Sequence, residues 1–411
     1  MKLLLFGAGA SIPFYPSLTT DNITKFIKDN KNWKDIISKY NEISKIPLDI
    51  DFITNLLNDI INVNSNFNFE DICGYVDTIT SSLLHPQYDK INRIKKELIV
   101  LNQCNIIDYK NTFYKNIEHI PFLFRCLIAE YITTQQKVDE YKLLLLKQKE
   151  FINYYIRGTN KSSIVTLNYD DIINVSVDDI FYNGFHNGEI GSDIPFDINK
   201  FYNSKHTISY LHGSIRFIHP LFDIHYSQDV IQNYKERIRG LFLGNPNFYF
   251  QDQIPFKEEN LSYNTFITTG IDKNFSLDYI PYNFYYTKFA SDICKSKYLI
   301  IIGYSFRDQH VNRIISPFIH LNKKNRVIIV DYYKEEIHFN QTKSYNHIFI
   351  DIYNTFYSKG FSVEDHEGIK HINKFEYGFL APQILYYKGG YEKFLNEYPK
   401  VISYCKNKSY K

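Results

Sequence analysis

Five short segments of the chain carry residue types that could act together on a phosphorylated ribose compound. The first is Gly7-Ala8-Gly9-Ala10-Ser11. Its two glycines permit a tight turn and close backbone approach, and unpaired amides at a following helix start favour a pyrophosphate. Gly-x-Gly also serves as a plain tight connection, and no third glycine stands in the register of a redox dinucleotide fingerprint. The second segment is Thr166-Leu167-Asn168-Tyr169-Asp170-Asp171. Asn168 and Asp170, two residues apart, can both face a crevice, or either can cap the helix that follows. The third is Leu211-His212-Gly213-Ser214. His212 suits a general base better than His206, His219 or His225, because it alone of the four falls at a strand end. The fourth is Gly303-Tyr304-Ser305-Phe306-Arg307-Asp308. Gly303 and Ser305 suit a phosphate or a ribose, and Asp308 suits a helix cap. The fifth is Asp331, an acidic strand end that fits ribose hydroxyls or an ordinary turn.

Each segment follows an apolar run that reads as a strand. Leu3–Phe6 is all apolar and ends in glycine, the pattern of a central parallel strand covered on both faces. Similar runs occur at 163–167, 208–211, 266–268, 298–302 and 327–330. Val311, Ile314, Ile315, Phe318 and Ile319 place a helix between the last two, which makes a β-α-β unit. These features predict an α/β chain with a Rossmann-like doubly wound parallel sheet. Between its first two strands lies a largely helical stretch. Thr19, Thr20 and Asp21 supply its first cap, and 122–155 reads as one long helix or a tight pair. The organisation expected is a core of 1–20 and 160–350, a helical insertion over 21–159 and a C-terminal extension over 351–411. The insertion is expected to pack and oligomerise, and the extension to cap the core or meet a partner.

Composition narrows the function classes. The chain has 411 residues, 44% of them hydrophobic, which is ample for a large core. Lys and Arg number 47 against 45 Asp and Glu, so no strong field toward nucleic acid or membrane is expected. The apolar run near the N-terminus is four residues long, too short for a signal peptide core. No run reaches the roughly 18 residues of a membrane span, and a cytoplasmic location is expected. Cys73, Cys104, Cys126, Cys294 and Cys405 form no CxxC pair, so neither a zinc knuckle nor a disulfide framework is expected.

In chain order, Gly7-Ala8-Gly9-Ala10-Ser11, Thr166-Leu167-Asn168-Tyr169-Asp170, Leu211-His212-Gly213 and Gly303-Tyr304-Ser305 resemble the motifs of the sirtuin family. The resemblance covers about residues 1 to 20 and 160 to 335. Gly303-Tyr304-Ser305-Phe306, with Asp308 beyond it, is most similar to the sirtuin-like NADases of bacterial anti-phage defence. Two departures separate the chain from deacetylases. It lacks the paired zinc cysteines, and Ile12-Pro13-Phe14-Tyr15 stands where deacetylases carry Ile-Pro-Asp-Phe-Arg. The resemblance implies that NAD+ is a substrate, cleaved to nicotinamide and ADP-ribose or a cyclised product, with no metal. It implies Asn168, His212 and Asp170 as catalytic residues: Asn168 on the nicotinamide ribose or water, His212 as base, Asp170 orienting the site. It implies Gly7, Ala8, Gly9, Ser11, Thr166, Gly303, Ser305 and Asp331 as the NAD-binding set. A HerA-type ATPase or another defence partner, and self-assembly, would gate the activity. A protein deacylase or ADP-ribosyltransferase, and a non-catalytic NAD or ADP-ribose sensor, are the alternatives.

Overall fold

The computed structural model describes residues 1–44, 48–63, 65–84, 116, 119–135, 141–177, 180–185, 196–218, 249–250, 265–267, 281–337, 347–357 and 366–407. His219, His225, Thr268 and Cys104 lie outside the described residues.

Strand β1 (Lys2–Phe6) is the hub of the main sheet. Leu3, Leu4, Leu5 and Phe6 are all buried, as expected of a strand covered on both faces. It pairs in parallel with β2 (Ser162–Thr166) on one side and β8 (Tyr298–Ile302) on the other. Beyond β2 lie β4 (His206–Tyr210) and β3 (Phe181–Tyr182), and beyond β8 lies β9 (Arg326–Val330). The sheet therefore reverses direction at β1 and β8, the place where open α/β sheets bind ligands. The strands also run in step. Tyr210, Thr166, Phe6, Ile302 and Val330 form one register row across β4, β2, β1, β8 and β9. One edge thus carries the start of all five loops that hold the chemistry-bearing segments.

The sheet continues past the point where an extension was expected to begin. β10 (Tyr377–Ala381) and β11 (Ile384–Tyr387) belong to it, with β11 parallel to β9 and β10 antiparallel on the edge. Helices α12 (His347–Phe356), α13 (His366–Phe375) and α14 (Tyr391–Asn407) complete this region. The expected strand at 266–268 is corrected in its place. β7 (Thr265–Ile267) pairs antiparallel with β5 (Gly213–Ile218) in a separate small sheet with β6 (Tyr249–Phe250). A three-residue apolar run does not distinguish the two environments.

The described part of 20–156 is mainly helical: α1 (Thr20–Lys28), α2 (Asn30–Ser44), α3 (Ile50–Val63), α4 (Phe69–Leu84), α5 (Ile120–Gln135) and α6 (Lys142–Ile156). Thr19 caps α1, its hydroxyl accepting the Asn22 amide at 3.2 Å. The stretch read as one helix or a pair is a pair, α5 and α6. Leu123 through Ala129 of α5 are all buried, so α5 is the interior helix of this group. Arg125 of α5 forms a buried ion pair with Asp77 of α4 at 3.3 Å. α6 ties this group to the rest. Phe151 packs on Phe394 and Tyr398 of α14, and buried Gln148 bonds Ser176 Oγ and the Tyr391 hydroxyl. Three short helices, α7 (Ile172–Ser176), α8 (Ile198–Asn203) and α11 (Phe318–Leu321), and two longer ones, α9 (Tyr282–Lys295) and α10 (Gln309–Ile315), lie between the strands. Among the described residues no helix is long and apolar enough to cross a membrane.

Candidate functional site

The glycine turn after β1 is built against the loop after β8. Gly9 donates its amide to the Gly303 carbonyl at 2.8 Å, and Gly7 donates to the Ile302 carbonyl at 2.9 Å. A Cβ on Gly7 would lie 2.7 Å from the Gly303 oxygen, and one on Gly9 2.9 Å from the Gly303 Cα. Gly303 itself has φ +60°, a conformation that favours glycine. The close approach that requires these glycines is therefore between two loops of the chain. The element after Gly7 is a single 3-10 turn, Ala8–Ala10, and the first α-helix begins only at Thr20. Ala10 and Ser11 donate their amides to Gly7 and Ala8, so the amides of Gly7, Gly9, Ala10 and Ser11 are all engaged within the chain. This corrects the picture of an open helix N-terminus directly behind the glycines. Ala8 and Gly9 form the exposed apex of the turn.

Asn168 leaves the end of β2 and reaches back to this turn. Its Nδ2 donates to the Gly7 carbonyl at 3.0 Å and to Ser11 Oγ at 2.8 Å. A carbonyl can only accept, so the nitrogen must face Gly7, and the orientation of the amide is fixed. Ser11 in turn donates its hydroxyl to Asp170 Oδ2. Asp170 Oδ1 accepts the Ile172 amide at 3.1 Å, so it holds the first amide of α7 while anchoring Ser11. Thr166 Oγ1 accepts the Asn168 amide at 3.1 Å, which commits this hydroxyl to holding the loop from below. A directed chain of hydrogen bonds thus runs from Asn168 through Ser11 to Asp170. Its free end is Asn168 Oδ1, which is buried and accepts no hydrogen bond among the described residues, on a residue only 8% exposed. Leaving such an acceptor unpaired costs roughly 1–3 kcal/mol, so the position suits a hydrogen-bond donor.

Burial pushes the Asp170 carboxyl up to about 6. The hydrogen bonds from Ser11 and Ile172 work against that rise, and neighbouring Asp171 adds to it. Asp171 accepts from Asn174 Nδ2 at 2.7 Å, and Asn174 Oδ1 accepts the Tyr210 hydroxyl.

His212 follows β4 and is 5% exposed. The β4 loop is tied to the β2 loop by Leu211, which donates to the Thr166 carbonyl, and by Ile215, which donates to the Tyr169 carbonyl. The Tyr169 ring lies 6.4 Å from the His212 ring. His212 Nε2 lies 2.9 Å from Asp308 Oδ2. Asp308 also caps α10 as its sequence context suggested, with Oδ1 accepting the amides of His310 and Val311 at 2.9 and 3.2 Å. Its second oxygen is the one that faces His212. Tyr286 of α9 has a buried hydroxyl that makes no hydrogen bond among the described residues. Burial, and then the charge of Asp308, hold that hydroxyl in its neutral form.

Gly303 is half-buried in the contact just described, and Ser305 is exposed on the same loop. Asp331 sits at the end of β9. Its Oδ1 accepts the Tyr332 amide at 2.8 Å and its Oδ2 the Tyr386 hydroxyl at 3.2 Å, and burial raises its carboxyl. A carboxylate has about four acceptor positions, so Asp331 retains capacity for a further hydroxyl. Of the residues singled out from sequence, Gly7, Ser11, Thr166, Asn168 and Asp170 form one buried hydrogen-bonded cluster, and His212 is buried on the neighbouring loop. An outer group of Ala8, Gly9, Gly303, Ser305 and Asp331 follows along the same edge. Two residues were missed as parts of the site. Asp308 was read only as a cap, and Tyr286 carried no signal beyond its place in an aromatic helix.

Residues 162–353 match the model of the SIR2-like domain. The matched stretch begins at β2 and contains Asn168, Asp170, His212, Gly303, Asp308 and Asp331. It supports a sirtuin-like assignment of this region, and SIR2-like domains use NAD+. No curated protein matches the chain.

Proposed function

We propose that the chain is an NAD+ glycohydrolase that breaks the bond between nicotinamide and ribose. The observation that carries this reading is the buried Oδ1 of Asn168, which accepts no hydrogen bond among the described residues and follows β2 on the same sheet edge as His212, in a region that matches the SIR2-like domain. An orphan acceptor takes an O–H, and both a ribose hydroxyl and an attacking water offer one. The exposed apex at Ala8 and Gly9 and the loop bearing Gly303 and Ser305 are the surfaces available to the pyrophosphate and adenosine half, and Asp331 is the acceptor for that half's ribose.

The reaction is NAD+ plus water to nicotinamide, ADP-ribose and a proton. The bond from C1′ to the pyridinium nitrogen breaks, and its electron pair neutralises the leaving nicotinamide. Positive charge then builds on the ribose, as in glycoside hydrolysis. Asn168 orients the ribose or the water, held in place by Ser11 and Asp170. His212 takes the proton from the water, directly or through a ribose hydroxyl, a role worth about 10²–10⁴-fold in rate. Attack by a second site on the same molecule, in place of water, would give a cyclic product.

An NADase that acts freely would drain its host. We therefore place the activity in anti-phage abortive infection in the cytoplasm, gated by self-assembly or by a partner such as a HerA-type ATPase. Chromatographic measurement of nicotinamide and ADP-ribose after incubation of the chain with NAD+, alone and with such a partner, tests the reading. Acyl-peptide turnover would instead identify a deacylase, and NAD+ binding without turnover under both conditions would identify a sensor.

A further inference from the structure

We propose that Asp308 is a positioning residue that sets His212 in the tautomer of a base; the proposal rests on the NADase reading for its kinetic consequence alone. Three observations carry it. First, the two residues come from loops on opposite halves of the sheet. β4 and β8 are three strand spacings apart, about 14 Å, so the loop after β8 must reach across the ends of β1 and β2 for Asp308 to meet His212 at 2.9 Å.

Second, that loop is held rigidly. Gly303 is locked to the glycine turn, and the Tyr304 hydroxyl lies 2.9 Å from the Asp308 carbonyl and 2.8 Å from Asn312 Oδ1. Asn312 Nδ2 bonds the Phe306 carbonyl at 2.6 Å. Phe306 adopts φ +59°, an uncommon conformation for a bulky residue, with its ring packed on Tyr304 and Phe356. Such strain is retained where the surroundings over-determine it.

Third, the two oxygens of Asp308 divide their work. Oδ1 takes two amides at the start of α10, which favours the ionised carboxylate through hydrogen bonding and the helix dipole. A carboxylate accepts only, so Oδ2 holds the Nε2–H of His212. The neutral ring then carries its lone pair on Nδ1, the nitrogen that accepts a proton.

Because Asp, Asn and Ser cap helices about equally well, the cap and the positioning role can be separated. Asp308→Asn keeps the cap but turns an NH2 donor toward His212, which reverses the tautomer. Asp308→Ser keeps the cap and is too short to reach the ring. Both variants should fold with near-native melting curves and lose about 10²–10⁴-fold in kcat, with KM changed only a few-fold. Histidine-labelled ¹⁵N spectra, with the His212 signals assigned by His212→Gln, should show the Nε2–H form in the native chain and the Nδ1–H form in Asp308→Asn. Native kcat in a folded Asp308→Ser chain, or an unchanged tautomer in Asp308→Asn, overturns the proposal. If the native chain and its partner complex release no nicotinamide, the NADase reading fails, and the spectra still decide the role of Asp308.

Discussion

Replacing Asp170 by Asn should reshape the pH dependence of stability by a calculable amount. In the folded chain burial holds the carboxyl near 6, and in the unfolded chain it returns to about 3.8. Between those values the folded state binds more protons than the unfolded state, so the unfolding free energy falls as pH rises through the window. The stabilising contribution is complete below about pH 3.8 and lost above about pH 6. The gap between the two values amounts to about 3 kcal/mol. The substituted amide would be neutral throughout. Its oxygen can still accept the Ile172 amide, and its NH2 can face a reoriented Ser11 hydroxyl. Urea unfolding of both chains between about pH 4 and pH 7.5 should therefore show the variant gaining roughly 2–3 kcal/mol on the native chain as pH rises. Asp292 and Asp331, whose carboxyls burial also raises, are present in both chains and cancel in the difference. A difference that stays flat across the range, or one of opposite slope, refutes the assignment of Asp170 as a buried carboxyl that resists ionisation.

Gly303→Ala should destabilise the chain by more than about 4 kcal/mol, because a Cβ at φ +60° would run into the backbone of Gly9 and Ala10. A soluble variant with a native melting temperature would show that the two loops do not interlock. Asp292→Ala should cost about 3–5 kcal/mol, since it strands the buried Lys288 ammonium now paired at 2.6 Å on α9. Lys288→Met combined with Asp292→Leu should recover most of the loss in thermal melts, and a single variant as stable as the double would contradict the pairing.

The five strand ends were legible because their physics is local. Leu3–Phe6, 298–302 and 327–330 are apolar runs stopped by glycine or aspartate, the signature of strands buried on both faces. The parallel register then aligned Asn168, His212, Gly303 and Asp331 on one edge without further information. The contacts that complete the site were not legible. Ser11 and Asp170 are 159 residues apart, and His212 and Asp308 are 96 apart, and each pairing depends on where two loops end in space. Asp308 satisfied a local role as a helix cap, which hid its second oxygen. The glycines were read as a place of close approach to a pyrophosphate, and the group that approaches them in the structure is the backbone of Gly303. The tail strands were missed because only Pro382 and Gln383 separate Tyr377–Ala381 from Ile384–Tyr387, so the pair reads as one stretch broken by proline.

The central claim is that Asn168 and His212 act on NAD+. Its most direct test is nicotinamide release by the native chain, Asn168→Ala and His212→Ala, each assayed alone and with the proposed ATPase partner after circular dichroism has confirmed folding. The account predicts stoichiometric nicotinamide and ADP-ribose or its cyclic form from the native chain, and a loss of about 10²-fold or more in each variant. Undiminished nicotinamide release by a folded His212→Ala or Asn168→Ala chain would contradict it.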